Sequence, residues 1–331
     1  MRNSAIRWVL IAGLVGTLSV SGWAQNVPLR VGLEAGGTFT WAVRVMERLG
    51  LDRQAGVVVQ ARPFATKTAA ETALRAGEID LKVDDWIYPT RARQQGIRVQ
   101  AVDAYSKAVG GIIVRPDSPI RRLEDLRGKR IGVASLADKG YLVLRAVGVA
   151  QLGFDPQTDS RVVPAAPPLL SQLLERGDLD AAVQYWQFVA QSVGAGRARE
   201  LVSVLNLIRR IQPGADVPFL LVVATDEAVA QKPQALRAFL AALRRAQRAL
   251  ADRRDLWEAL QAEGTIGVAD PRLLPSLMSR YRLGLPGPWD LRTVAALQAL
   301  TRRLVEVAGG EVVGVGSLDP AAFNTSLSAP R

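Results

Sequence analysis

Between residue 29 and about residue 225, short apolar runs alternate with amphipathic stretches, and few residues separate them. Leu29 to Leu33 is apolar except at Arg30, as in a strand covered on both faces of a parallel sheet, and it empties into the turn Glu34-Ala35-Gly36-Gly37-Thr38. A helix carrying Trp41, Val45, Met46 and Leu49 follows and is closed by Gly50. Val57 to Ala61 predicts a second strand, Pro63 to Thr68 a loop, the residues up to Ala76 a helix, and Ile79 to Val83 a third strand. A helix near Pro89 to Gln95, stopped by Gly96, and a strand from Arg98 to Tyr105 complete this half. Strands and helices joined by short connections predict βαβ units and a parallel sheet.

The pattern then repeats. Leu74 to Trp86 and Leu174 to Trp186 share Leu74/Leu174, Gly77/Gly177, Asp80/Asp180, Val83/Val183 and Trp86/Trp186, one hundred residues apart. Arg30-Val31-Gly32-Leu33 is echoed by Arg130-Ile131-Gly132-Val133 in the same register. Two matches at one offset predict two similar lobes. Between them, Leu123 to Arg127 reads as a short helix, Arg130 to Ala134 as a strand, and Ser135 to Gly140 as the counterpart of the Glu34 turn. Leu142, Ala146, Val149 and Ala150 then mark the buried stripe of a helix ending at Gly153; a strand stub at Val162-Val163 and a helix from Leu169 to Arg176 come next.

Two segments are candidate passages between lobes. Val109-Gly110-Gly111-Ile112-Ile113-Val114 reads either as a crossover that bends at its glycines or as a strand with a bulge there. Pro218 to Ala224 is the second. From Asp226 to about Gly309 the periodicity is almost wholly helical, expected to cover the outside of the first lobe, and Ser317 to Arg331 reads as a frayed end. The expected architecture is α/β: residues 25–109 and 225–331 form one discontinuous lobe and 110–224 the other.

Composition narrows the chemistry. Arg2 and Arg7, the apolar run Trp8 to Val20, and Gly22-Trp23-Ala24 have the layout of a secretory signal over residues 1–24, cleaved after Ala24. A one-pass anchor is the competing reading, and the run is short of the ~20 residues a bilayer needs. With no cysteine there are no disulfides and no lipid-bearing cysteine, which predicts a soluble periplasmic protein. With no histidine, the usual general base, the usual metal ligand and every Ser-His or Cys-His nucleophile are missing, so no catalytic residue, metal or cofactor is expected. The formal charge is +11, to which Arg2 and Arg7 contribute, but the basic residues lie scattered among acids without interleaved aromatics, so no nucleic-acid partner is expected. Arg237, Arg244, Arg245, Arg248, Arg253 and Arg254 cluster opposite Leu236, Phe239, Leu240, Leu243 and Leu250, the pattern of a surface helix with a solvated arginine face.

In open parallel sheets, ligands bind beyond the carboxyl ends of the strands, where helix N-termini present free N–H groups. Two lobes with matching loops imply a cleft between them. The candidate ligand-binding residues are Gly37, Thr38, Thr68, Asp84, Asp85 and Trp86 from one lobe and Ser135, Asp138, Lys139, Tyr141, Tyr185 and Trp186 from the other, with Gln184 alongside. Trp86 and Trp186 read equally well as core or cleft. Asp80 and Asp180 are expected to be structural, capping the preceding turn. Asp84 and Asp85 do not suggest a proton-sharing dyad, because successive strand residues face opposite ways. Lys67 and Lys139 read as surface lysines or as partners of an anionic ligand group. The Gly36-Gly37 pair is too short for a dinucleotide fingerprint.

Arg30 to Leu33, the run Ala73-Leu74-Arg75-Ala76-Gly77-Glu78-Ile79-Asp80, Asp117-Ser118-Pro119-Ile120, Leu123 to Val133 and Gly177-Asp178-Leu179-Asp180-Ala181 together resemble the substrate-binding proteins of ABC importers. Within these, the resemblance is to the nitrate/sulfonate/taurine group that includes SsuA/THI5-like and NMT1-like members, over residues 28 to 250. It implies a type II periplasmic-binding fold with two lobes of mixed, mainly parallel sheets joined by two crossover strands. It also implies a small-molecule solute, permease and ATPase subunits as partners, and a monomer. Where sulfonate and nitrate binders of the group place small and polar residues after the third strand, this chain has Asp84-Asp85-Trp86, and it has Ala137-Asp138-Lys139-Gly140-Tyr141 after the second lobe's first strand. These acidic and aromatic groups suit a cationic, zwitterionic or aromatic solute better than a simple inorganic anion. The alternatives are a periplasmic enzyme on the same fold, which the absence of histidine and cysteine disfavours, and a ligand sensor.

Overall fold

The computed structural model describes residues 27–268 and 270–328; the expected signal segment lies outside them. Among the described residues ten strands form two five-stranded sheets. β1 (Val27–Glu34), β2 (Val57–Phe64), β3 (Leu81–Asp85) and β4 (Val99–Ser106) belong to the first, and β5 (Gly111–Val114), β6 (Arg130–Val133), β7 (Arg161–Pro164), β8 (Ala181–Gln184) and β9 (Arg199–Ser203) to the second. β10 (Leu220–Thr225) returns to the first sheet. The orders are β2-β1-β3-β10-β4 and β7-β6-β8-β5-β9. In each, three parallel strands are followed by an antiparallel strand arriving from the other lobe, which is inserted before the last one. The α/β two-lobed class is as expected from the sequence.

The repeated residues account for the likeness of the lobes. Asp80 accepts from the backbone N–H of Arg30 at 2.8 Å and from its guanidinium at 2.6 Å, and the same guanidinium reaches the Gly77 carbonyl at 2.5 Å. One hundred residues on, Asp180 accepts from the Arg130 N–H and guanidinium, both at 2.8 Å, and Arg130 donates to the Gly177 carbonyl at 2.8 Å. The aspartates therefore tie β1 to the entry of β3 in one lobe and the start of β6 to the entry of β8 in the other, a longer reach than capping a turn. Charge-assisted bonds of this kind are among the stronger ones. The glycines between follow from packing: a Cβ on Gly32 would stand 2.4 Å from Ile79 Cδ1, and one on Gly132 2.5 Å from Leu179 Cδ1.

Five readings change. β10 pairs with β3 and β4, so the chain re-enters the first sheet before residue 220, earlier than the boundary expected at 224. β9 and the helix Val204–Ile211 were not legible, because Arg199-Glu200-Leu201-Val202-Ser203 holds only two apolar residues. The helices Pro233–Asp252, Arg254–Ala262 and Leu274–Leu283 do pack on the first lobe, but Leu291–Ala308 and Gly310–Val313 lie against the second-lobe helix Lys139–Val147. The tail to Ser328 is docked, since Phe323 bridges Ala101 in β4 and Leu327 is buried. The arginine face is also incomplete: Arg244 is buried and donates to Asp103 Oδ2 at 2.5 Å.

At the first passage the glycines are needed for closeness. A Cβ on Gly110 would fall 1.6 Å from the backbone carbonyl oxygen of Gln184, and the Gly110 carbonyl accepts from Val204 N–H at 2.9 Å. Because the obstacle is backbone, it cannot be cleared by a rotamer change. Gly110→Ala is expected to destabilise the protein by about 1–3 kcal/mol, as overpacking does, read as a lower urea midpoint; an unchanged midpoint would contradict the packing.

Candidate functional site

Between the lobes lies a cleft at the carboxyl ends of β1 and β3 on one side and β8 on the other, lined by Glu34, Thr38, Lys67, Asp84, Asp138 and Tyr185 among others. About 80 Å³ of it can hold the centres of water-sized atoms, room for several waters or a small solute. The helices Thr38–Arg48 and Trp186–Gly194, one from each lobe, both start at this cleft, and neither has a side-chain cap at its N-terminus. Uncapped first-turn N–H groups favour a negatively charged or strongly accepting group.

The floor is a buried ion cluster. Lys67 Nζ lies 2.7 Å from Asp84 Oδ1 and 2.8 Å from Asp85 Oδ2, and Lys82 Nζ lies 2.5 Å from Asp84 Oδ2. Asp85 also accepts from the N–H groups of Ile87 and Tyr88, which starts the helix Tyr88–Gln94. Burial alone would raise the Asp84 carboxyl, but the two lysines outweigh it and hold its pKa far below the usual range. Burial likewise works against the charge of Lys67, and Asp84 and Asp85 more than offset it. Glu34 differs: burial pushes its carboxyl upward while Lys82 and Lys67 pull it only partly back. Its side chain meets the Tyr185 hydroxyl at 3.4 Å across the cleft.

Two further contacts cross the cleft on the same side. Gln187 Nε2 donates to the Gly36 carbonyl at 2.6 Å, and the Trp186 ring meets Trp41 edge-on at 5.8 Å between centroids. Lys139 Nζ sits 5.7 Å above the Tyr185 ring, a cation–π geometry.

Of the residues singled out in the sequence, Gly37, Thr38, Asp84, Asp85, Asp138, Lys139, Tyr185 and Trp186 line this one cleft. Thr68 does not: it is exposed on the helix Lys67–Arg75. Trp86 is fully buried, packs on Phe219 at 5.6 Å and donates from Nε1 to Thr301 Oγ1 at 3.0 Å, so it is a core residue tied to the helix Leu291–Ala308. Tyr141 is likewise buried in the second lobe's core, and burial raises its pKa to about 12. Ser135 lies outside the lining, and the buried Gln184 amide donates to Pro167 O at 2.7 Å. Lys67 and Lys139 are inward-facing rather than surface lysines. Glu34, Phe39, Lys82, Tyr105 and Gln187 are among the lining residues that the sequence did not single out. Lys82 had a legible signal, as a lysine inside the otherwise apolar stretch Leu81 to Val83 needs a buried carboxylate.

The sequence matches the family described as NMT1/THI5 like over residues 45–255, more than half of the chain. No curated protein matches it in sequence. Among solved structures, the alkanesulfonate-binding protein SsuA from Xanthomonas axonopodis pv. citri, bound to MOPS, superposes with a TM-score of 0.73 at 18% identity, covering 91% of this chain and 99% of that one. The periplasmic aliphatic sulphonate binding protein SsuA from Escherichia coli gives 0.67 at 18% identity over 88% and 89%. The periplasmic nitrate-binding protein NrtA from Synechocystis PCC 6803 gives 0.61 at 14% over 75% and 68%. At these identities the likeness is one of fold.

Two expectations follow. Trp86→Ala should cost about 3–5 kcal/mol, the range for truncating a buried aromatic, and lower the chemical-denaturation midpoint; a near-native midpoint would return Trp86 to the cleft. Because Asp84 is ionised well below the pKa of an unfolded aspartate, its ion pairs stabilise the fold above about pH 4 and fade as pH falls toward the folded value. Asp84→Asn should therefore be markedly less stable than wild type at pH 7, and the gap should narrow below about pH 4.

Proposed function

The chain belongs to the NMT1/THI5-like family, and from that premise we propose that it is the solute-binding component of an ABC importer. It captures a small organic solute between its lobes and presents the closed form to a membrane permease and its ATPase. The observation that carries this reading is the cleft itself, reached by polar groups of both lobes and spanned by Tyr185 to Glu34 and Gln187 to Gly36. A site shared by two lobes makes closure depend on the ligand, because only the closed form lets it contact both sides. The solved neighbours that bind alkanesulfonates or nitrate support an anionic end on the solute, as do the two uncapped helix N-termini. The aromatic wall of Phe39, Tyr105 and Trp186 supports an organic body beside it. In this reading the protein works in the periplasm as a monomer, and no helix among the described residues is long and apolar enough to cross a membrane.

The test is a thermal-shift screen of the purified chain against sulfonates, nitrate, amino acids, aromatic acids and pyrimidines. A solute present at a hundred times its dissociation constant stabilises by about 2.7 kcal/mol, which raises the melting temperature by several degrees. One solute class should do so and be recovered unchanged. Conversion of the stabilising compound to a product would contradict the reading in favour of an enzyme.

A further inference from the structure

The charges lining the cleft do not cancel evenly. Among the described residues three lysines and four carboxylates line it, and no arginine does. Lys67 and Lys82 are committed to Asp84 and Asp85 at 2.5–2.8 Å, so neither is left to meet a ligand anion as an unpaired charge. Of the remaining three, Asp138 caps its own helix by accepting from Gly140 N–H at 2.9 Å, and Lys139 faces the Tyr185 ring. Glu34 forms no ion pair among the described residues, and its side chain meets only the Tyr185 hydroxyl at a long 3.4 Å. Beside it, the Gln187 amide is oriented by its bond to Gly36 O, which leaves Oε1 as a buried acceptor without a partner in a residue that is 2% exposed. A buried acceptor left unpaired is costly, so Gln187 Oε1 marks a place prepared for a donor.

We propose that Glu34 and Gln187 together read a protonated amine on the solute, so that the cleft takes zwitterions in preference to simple anions. This rests on the reading of the cleft as a solute site. An ammonium carries three N–H donors and no acceptor, which matches a carboxylate and an amide oxygen brought to the cleft lining by opposite lobes. The anionic end then meets the uncapped helix N-termini and Lys139, and the two ends of one solute hold the two lobes together. Burial disfavours a charged Glu34 in the empty cleft, and an ammonium beside it restores that charge.

The experiment is titration calorimetry with pairs that differ only in the amine: 2-aminoethanesulfonate against ethanesulfonate, 3-aminopropanesulfonate against propanesulfonate, and phenylalanine against 3-phenylpropionate. At least one aminated member should bind ten-fold or more tightly than its partner, and Glu34→Gln, nearly isosteric, should erase the ratio while keeping the unliganded melting temperature. Equal or tighter binding of the amine-free members, or a ratio that survives Glu34→Gln, overturns the inference and leaves the solute-binding reading standing. Binding by neither member of any pair counts against both. Should Glu34→Gln not fold, the wild-type ratios decide alone.

Discussion

The cleft depends on one constraint: a carboxylate removed from water has to be paired or give up its charge. β3 ends in two consecutive acids, and both are nearly inaccessible to solvent. Lys67 from the start of the preceding helix and Lys82 from the same strand meet Asp84 from two sides, and Asp85 is satisfied by Lys67 and by backbone N–H groups of the next helix. The floor is thereby neutralised from within. The charged and polar lining left outside this cluster includes Glu34, Gln187 and Lys139.

The same repeat serves different ends in the two lobes. The Arg–Asp bracket and the strand glycine are kept in both, because β1 with β3 and β6 with β8 have to be held in the same register. The tryptophans have diverged in partner. Trp86 is locked under the helix Leu291–Ala308, whereas Trp186 reaches over to Trp41 and Tyr281 of the first lobe. With the chain crossing between sheets on either side of the second lobe, and the C-terminal helices leaving the first lobe to pack on the second, the lobes are linked by backbone and apolar contact as well as by the cleft residues. Across the cleft itself the described polar contacts are those of Tyr185 with Glu34 and of Gln187 with Gly36.

Much of the fold was legible because burial on both faces writes continuous apolar strands, and because the hundred-residue repeat exposes the lobes without any knowledge of contacts. β9 was missed because an edge strand half open to solvent carries no such run. The docked tail was misread for a related reason: Phe323 and Leu327 are isolated apolar residues whose value lies in where they land. In the site, eight of the twelve candidates line the cleft, since strand-end loops are where an open sheet places its ligand. Trp86 and Tyr141 were lost to the core because a tryptophan or tyrosine in a loop reads the same whether it turns inward or outward. Glu34 stood at the edge of the predicted turn, and nothing local distinguishes a carboxylate that faces a ligand from one that faces water.

The central claim is that the two lobes close on a solute. Since the chain has no cysteine, spin labels can be placed at one exposed position on each rim, Thr68→Cys and Leu136→Cys, without a competing thiol. Pulsed dipolar spectroscopy then reads the distance between lobes with and without a stabilising solute. The account predicts a broad or longer distribution in the free protein that collapses to one shorter distance on binding. The same distribution in both samples would contradict it.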